Sequence, residues 1–559
     1  MIAASNDSAK VKSLLGTVIE GSLSGGLKIR LAPNCQVEDI RVGQFVVVEG
    51  QRNRFFCMIT DVELATSNPR ILLDPPAQDS FLAEVLQGTG TFGVVALQPM
   101  LMLMRGEAGA TPTASADEEL RPVKTVPNHF APAHVATASD FGIVFGREDE
   151  VGKNRFEIGQ PLDMDIPLCL DLDRLVERSN AIFGKSGTGK SFLTRLVLSG
   201  IIKKQVAVNL IFDMHNEYGW QALSENKGEV VVKGLRQLFG KDVAVFTLDL
   251  ESSRQRGVKD ANELSIPLEE ISIEDLALIK HELNLSEASI ESAMILEEIL
   301  GRKWLREFST WSNTDIDDFV TSHKGHAGAL KALQRKLQRI LRLSYIRDIS
   351  HDSSRQIMQY LEHGKHVILE FGGQNSLLSY MLVTNILTRK IHAKYVELSD
   401  HYNADPQHRP KPRQLVITIE EAHKFLAPQI SRSTIFGTIA REMRKYHVTL
   451  LIVDQRPSSI DNEVLSQVGT RITALLNDDK DIDAVFTGVS GSQSLKTVLA
   501  QLDPKQQALI LGYAVPMPVV MRTRAYNTAF YKAMGFRGDD KPEEVAKRAQ
   551  DNIVRLFPG

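Results

Sequence analysis

Cysteine is scarce in this chain of 559 residues. The three present, Cys35, Cys57 and Cys169, are odd in number, far apart and without metal-ligand spacing. A disulfide framework is therefore not what organises the fold, and buried or free thiols in a reducing compartment are expected. Long apolar runs are also absent: none reaches the ~18 residues that a membrane crossing needs. The opening MIAASNDSAKVKSLL has no extended apolar core and does not read as a secretory signal. A cytoplasmic location with no membrane partner is the expectation. Positive charge is not in excess either. The formal net charge is −4, whereas a dedicated nucleic-acid-binding domain is usually basic overall. Any DNA contact must come from a local basic surface, such as the lining of a channel. No internal repeat is present.

What is present is a globular composition, 43% hydrophobic and 24% charged, in a length that suggests about three to four domains. Up to residue 104 the chain reads as short strands (GTVIEG, GLKIRLAP, QFVVVEG, FFCMITDVEL) between Gly, Asn and Pro turns. This pattern predicts a small β-barrel. Arg105–Pro127 is rich in Ala, Thr, Pro and acids and reads as a flexible loop, and FGIVFGRE at Phe141–Glu148 reads as a further strand. From about Ile166, apolar runs alternate with helical stretches, the mark of a parallel sheet. The runs are Ala181–Phe183, Val206–Phe212, Val243–Leu248, Val367–Phe371, Leu415–Ile419, Val448–Val453 and Ile472–Leu476. SIED at Ser272–Asp275 is a capping-box pattern inside a long helical insertion. The expected division is 1–165 barrel, 166–250 first part of an α/β core, 251–360 helical insertion, 361–540 second part of the core and 541–559 an amphipathic tail helix.

One motif is explicit. Gly184-Lys185-Ser186-Gly187-Thr188-Gly189-Lys190-Ser191 is an ungapped phosphate loop between an expected strand and an expected helix. Glycines let backbone N–H groups converge on phosphate oxygens, and the helix start adds its positive dipole end. Lys190 suits the β/γ-phosphates and Ser191 suits Mg²⁺. The loop therefore predicts ATP and Mg²⁺. Hydrolysis also needs a carboxylate near the metal and a group that orients water. Three strands end in acids: at Asp213, at Glu370, and at the pair Glu420-Glu421. Parallel strands point these ends at one crevice. Glu420 is assigned to the metal shell and Glu421 to polarising water, the alternative being two acids that cap the following helix. Glu370 reads as a turn acid. Asp213, with Glu217 in DMHNEYGW, either reaches the metal or water or holds a turn. Arg441 and Arg444, three apart, would share a helix face, either solvated or supplying a transition-state arginine in trans. Gln455, at the tip of the next strand, is placed to sense a γ-phosphate.

Taken in order, GKSGTGKS, DMHNEY, EEAHKF at Glu420–Phe425, REMRK at Arg441–Lys445 and DQRP at Asp454–Pro457 resemble the HerA-type ATPases, of the HerA–FtsK group of RecA-like motors. The resemblance covers most of the chain, and the combination is specific where each motif alone is not. It implies a RecA-like P-loop core with an N-terminal HAS-barrel-like domain and a helical insertion. It implies a homohexameric ring that moves along double-stranded DNA using ATP, with Lys190, Asp213, Glu421 and Gln455 in the ATP site. It implies an arginine finger from the neighbouring subunit, Arg444 before Arg441. Arg178 stands where the family often has an Arg-His pair before the loop, with Ser179 here in place of His. Met443 and Asn216 stand where the family commonly has glycines. Such proteins work with a separate effector, a NurA-like nuclease or, in bacterial anti-phage defence, a sirtuin-type or other nuclease effector, docked on the barrel. This sequence carries no recognisable nuclease motif of its own.

Three functions fit in descending order: a DNA translocase or helicase, an ATPase ring that scaffolds and activates an effector, and a small-molecule kinase. Residues that touch DNA are weakly marked. Lys331, Arg335, Lys336, Arg339, Arg342 and Arg347 cluster in one helical stretch, which equally describes a solvated basic face.

Overall fold

A computed structural model describes residues 13–536 apart from 74, 77–80, 87–88, 105–119, 163, 224–230, 259, 324, 349–351, 433, 490–492 and 505. Most of the acidic loop expected at Arg105–Pro127 and the tail helix expected after Lys541 lie outside the described residues. The chain divides into two compact units, 1–197 with 388–524, and 198–387 with 525–559.

The first unit begins with the barrel. Its strands are Leu14–Ser22, Gly26–Leu31, Phe45–Glu49, Asn53–Thr66, Thr91–Met104, the short Arg121–Pro122, and Pro132–Val135. Gly26–Leu31 pairs with both Leu14–Ser22 and Thr91–Met104, which closes six of them into a ring. Alternate residues such as Val46, Val48, Phe55, Cys57, Val95 and Leu97 point inward to one apolar core. Closure leaves no long free sheet edge.

Two expectations change here. Phe141–Glu148 is not a strand: Ala138–Phe145 is a helix. Thr137 and Asp140 form a capping box, Phe141, Val144 and Phe145 bury one face at helical spacing, and Gly146 ends the helix at φ 68°. Asp140 also pairs with Arg54 of the barrel, so the cap ties the helix to the preceding sheet. Second, the barrel sheet ends at Val135, well before residue 165. Arg155–Pro161 and Leu168–Asp171 join the core sheet instead.

That sheet in the first unit runs Leu415–Glu420, Val448–Asp454, Asn180–Phe183, Thr470–Thr473, Gln507–Gly512, Val519–Thr523, Arg155–Pro161, Leu168–Asp171. The first four strands are parallel and the rest antiparallel. The parallel strands are buried almost end to end, as strands covered on both faces must be.

The second unit has its own parallel strands, ordered Asn262–Glu263, Val243–Thr247, His366–Glu370, Val208–Asp213. Its long helical segment includes Ile273–Leu278, Glu287–Leu300, Trp304–Thr310, Asn313–His323 and Ala327–Leu341. The Ser272–Asp275 capping box forms as its spacing predicts. Leu330, Leu333, Leu337 and Ile340 bury one face of the last helix, and Trp304, fully buried, donates its indole N–H to the Ile271 carbonyl at 2.9 Å. The basic residues of that region are largely engaged within the bundle. Lys331 pairs with Asp317 at 2.7 Å, Arg339 donates to the Glu282 carbonyl at 2.7 Å, and Lys336 and Arg347 bond Asn284 and Glu263.

Candidate ATPase site

The phosphate loop follows strand Asn180–Phe183, and Lys190 opens the helix Lys190–Lys204. Gly184 turns the chain where a Cβ would lie 2.7 Å from Thr188 Oγ1 and 2.9 Å from Ala474 Cβ. Gly187 and Gly189 take φ 77° and 91°, with open space above each Cα. Thr188 Oγ1 donates to the Lys185 carbonyl at 2.7 Å and Lys190 Nζ donates to the same oxygen at 3.2 Å, which holds the loop curled. Side chains are missing where phosphate oxygens must approach, and the positive groups, Lys190 and the helix start, surround that space. The loop therefore fits a triphosphate. Among the described residues no group of three or more His, Cys, Asp or Glu could hold a metal ion. Mg²⁺ needs no such cage when phosphates and water complete its shell.

Register decides what joins the loop. Phe183 pairs with Asp454, and Glu420 with Val453, on adjacent parallel strands. Gly184, Asp454-Gln455 and Glu420-Glu421 thus leave the same edge, with the Asp454 strand between the other two. Glu420 is buried at its strand end, 7% exposed. Glu421 turns into the left-handed region at φ 48°, which costs a non-glycine residue about 1–2 kcal/mol. Its Oε1 accepts from Gln455 Nε2 at 2.9 Å. The two residues assigned to water and to the γ-phosphate are therefore in contact.

Two further residues belong to this cluster. Asp454 is buried; its carboxylate accepts the backbone N–H groups of His423 at 2.8 Å and Arg456 at 2.7 Å, and His423 Nδ1 lies 2.9 Å from the same Oδ2. Asp454 ends an apolar strand, the same signal that marked the other acids, but DQRP draws attention to Gln455 alone.

The arginines separate. Arg441 lies in the last turn of the helix Ile435–Glu442 and Met443–Tyr446 is a one-turn 3₁₀ helix, so the two do not share a continuous α-helical face. Arg441 donates to the Ser431 carbonyl at 3.1 Å in its own chain. Arg444 lies in the 3₁₀ turn, and its side chain is outside the described residues. Arg178 precedes the other end of the phosphate-loop strand, its guanidinium over the Tyr513 ring at 4.2 Å. The fold does not bring it to its own loop. Ser179 stands in place of the family's His, and its Oγ accepts the Leu450 N–H at 3.1 Å.

Asp213 and Glu217 lie in the second unit. Asp213, fully buried, accepts backbone N–H groups from Glu217 at 2.7 Å, Tyr218 at 2.7 Å and Gly219 at 3.2 Å. It holds the HNEY turn. Asn216 takes φ 58°, a conformation Asn tolerates, and its Oδ1 accepts the Gly372 N–H at 2.9 Å. Burial, then the neighbouring Glu370, push the Asp213 carboxyl up to about 7. Glu370 is not a turn acid: it is the buried last residue of its strand, paired with Arg256 at 2.6 Å, and burial raises it as well. All three cysteines are free, and burial pushes Cys169 up to about 12.

Comparison with known proteins agrees with this anatomy. Residues 156–391 match the family described as Helicase HerA, central domain, and residues 15–111 match the HAS barrel domain. The DNA double-strand break repair helicase HerA of Pyrococcus furiosus is 23% identical over 399 residues, 66% of this chain and 70% of that protein. Its namesake in Sulfolobus acidocaldarius is 23% identical over 511 residues, 90% of this chain and 92% of that protein. Among solved structures, the bacterial conjugative coupling protein TrwB aligns over 70% of this chain and 92% of its own, with 12% identity and a TM-score of 0.44. With a HAS barrel ahead of a HerA central domain, and a phosphate loop sharing a strand edge with paired glutamates, this chain is similar to the HerA-type P-loop ATPases in both domains.

Proposed function

We propose that this protein is an ATP-driven translocase or helicase acting on double-stranded DNA as a homohexamer, in concert with a separate effector docked on the barrel. The observation that carries the proposal is the shared strand edge. The phosphate loop, Glu420-Glu421 and Gln455 converge there, in a chain whose relatives are named DNA-repair helicases. Gly184 to Ser191 cradle the phosphates, with Lys190 on the β/γ oxygens. Ser191 and Glu420 would hold Mg²⁺, which would supply positive charge against that developing on the phosphates. Glu421 orients the attacking water and accepts its proton as the water oxygen bonds to γ-phosphorus and the bridging oxygen leaves. Gln455 reads the γ-phosphate. Asp213 and Glu217 build the HNEY turn of the second unit.

The transition state needs a further positive charge, and Arg444 of a neighbouring copy is the first choice for it. Arg441 is second, because its guanidinium already bonds its own chain at Ser431. Arg178 is third. The proposed effector is a NurA-like nuclease, or a sirtuin-type or other nuclease effector of antiviral defence, and the setting is the cytoplasm. No helix among the described residues is long and apolar enough to cross a membrane.

One observation favours a second reading. The basic helix Ala327–Leu341 engages Lys331, Lys336 and Arg339 within its own bundle, and does not by itself call for DNA. An ATPase ring that scaffolds an effector, with DNA movement secondary, fits that observation. The test is ATP turnover with and without linear duplex DNA, each with and without the product of the adjacent gene. Stimulation by duplex DNA alone supports the translocase. Stimulation by the effector alone, with DNA inert, supports the scaffold and overturns the translocase.

A further inference from the structure

We propose that His423 and Asp454 are positioning residues of the ATPase, a carboxylate–imidazole pair that holds Glu421 in its working orientation. The inference rests on the ATP-hydrolysing reading of this site. Four observations lead to it.

The first is geometry. Asp454 Oδ2 faces His423 Nδ1 at 2.9 Å. The carboxylate can only accept, so Nδ1 carries a hydrogen and points it at Asp454. The second is burial. The Asp454 side chain is 0% exposed and that of His423 is 19% exposed, so the contact is held largely out of water. The third is connectivity. The Asp454 carboxylate takes the backbone N–H of His423 and that of Arg456. It thereby bolts the turn that carries Glu421 to the turn that carries Gln455, although the two follow different strands. The fourth is charge. His423 Nδ1 also lies 3.7 Å from Glu421 Oε2, so the ring nitrogen that bonds Asp454 is close to both carboxylates.

Glu421 needs such support. Its backbone is left-handed without being glycine, and such conformations persist only where the surroundings over-determine them. Gln455 restrains Oε1 and the His423–Asp454 pair borders Oε2. A plain helix-capping role accounts for less. The helix that starts at His423 has four residues, and its capping N–H is already satisfied by Asp454 without the imidazole. The ring contact is additional. His423 takes no proton in the reaction; it keeps the base aimed.

The side-chain chemistry provides the test. An asparagine places its amide nitrogen near Nδ1 of histidine, and a glutamine places its own near Nε2. His423→Asn therefore keeps a donor to Asp454, whereas His423→Gln and His423→Phe do not. The expected result is that Asp454→Asn and His423→Phe lower kcat by ~10–100-fold, the usual effect of removing a supporting partner. Affinity for a fluorescent ATP analogue stays unchanged, since the phosphate loop is untouched. His423→Asn restores most of the turnover and His423→Gln does not. Rescue by Gln rather than Asn would place the function at Nε2 and overturn the proposal. So would a fall in nucleotide affinity and melting temperature that parallels the fall in kcat, the mark of a purely structural role. Lys190→Ala run beside these variants separates the two levels. If Lys190→Ala is inactive and His423→Phe is normal, only the positioning role fails. If both are active, the ATPase reading fails with it.

Discussion

Removing the Arg256 guanidinium should unsettle the second unit more than any ordinary surface substitution. Glu370 has a side chain with 0% exposure, Arg256 Nη2 lies 2.6 Å from its Oε2, and Ser253 Oγ stands 3.5 Å away. On the neighbouring strand, Asp213 pairs in register with Glu370, so two acids share one buried strand edge. Arg256→Met keeps the aliphatic stem and deletes the charge. Stripping one partner from a buried ion pair costs about 3–5 kcal/mol. Arg256 is 28% exposed, so water has replaced part of the interaction already, and the low end, about 3 kcal/mol, applies. For a unit of this size that is roughly a 6–12 °C fall in melting temperature.

The loss should depend on pH. Burial already holds the Glu370 carboxyl above its ordinary range, with Arg256 pulling it down. A carboxyl raised by folding favours the folded state most at low pH and loses that contribution as pH rises through the raised value. Without Arg256 it is raised further, so the variant should lose more stability at pH 8 than at pH 5. Glu370→Gln added to Arg256→Met should recover part of the loss, because no buried charge is then left unpaired. Thermal melts of the wild type, both singles and the double at the two pH values are sufficient. A single-variant loss under about 1 kcal/mol, or a double equal to the sum of the singles, would refute the reasoning.

Two further outcomes follow from the site. Glu421→Gln should keep nucleotide bound while hydrolysis stalls, because an amide cannot take the proton of water; free hydrolysis in that variant, with Glu420→Gln inactive, would mean the two acids have exchanged roles. Arg444→Ala should lower turnover by ~10³–10⁵-fold without weakening nucleotide binding, and mixing it with Lys190→Ala subunits should regenerate some active interfaces. No recovery after verified subunit exchange would move the finger to Arg441 or Arg178.

Much of this protein could be read along the chain because its signals are local. The phosphate loop is eight consecutive residues, and backbone geometry within a strand–loop–helix unit is all it needs. The parallel strands showed as apolar runs because strands buried on both faces admit little else. The capping box at Ser272–Asp275 formed where its spacing put it. The same reasoning failed at Phe141–Glu148, where an apolar run of strand length was a helix, and only the Thr137–Asp140 cap and the bond to Arg54 distinguish the two. At Arg441 and Arg444 the helix changed type between them, which a three-residue spacing cannot report.

What required the tertiary structure was every relation between strands. Whether an acid at a strand end is a turn residue or half of a buried pair depends on its neighbour in the sheet: Glu370 has Asp213 beside it and Arg256 over it, residues distant in sequence. Asp454 carried the same mark as the other strand-ending acids, yet its partner His423 lies on a different turn, and only the register of two parallel strands brings them to 2.9 Å. Sequence by itself determined which phosphate chemistry this chain is built for, because that chemistry is held by one contiguous loop. The fold decided how the carboxylates, the glutamine and the histidine around it are aimed, because hydrogen bonds at 2.8–2.9 Å are made between turns of different strands whose order no single segment encodes.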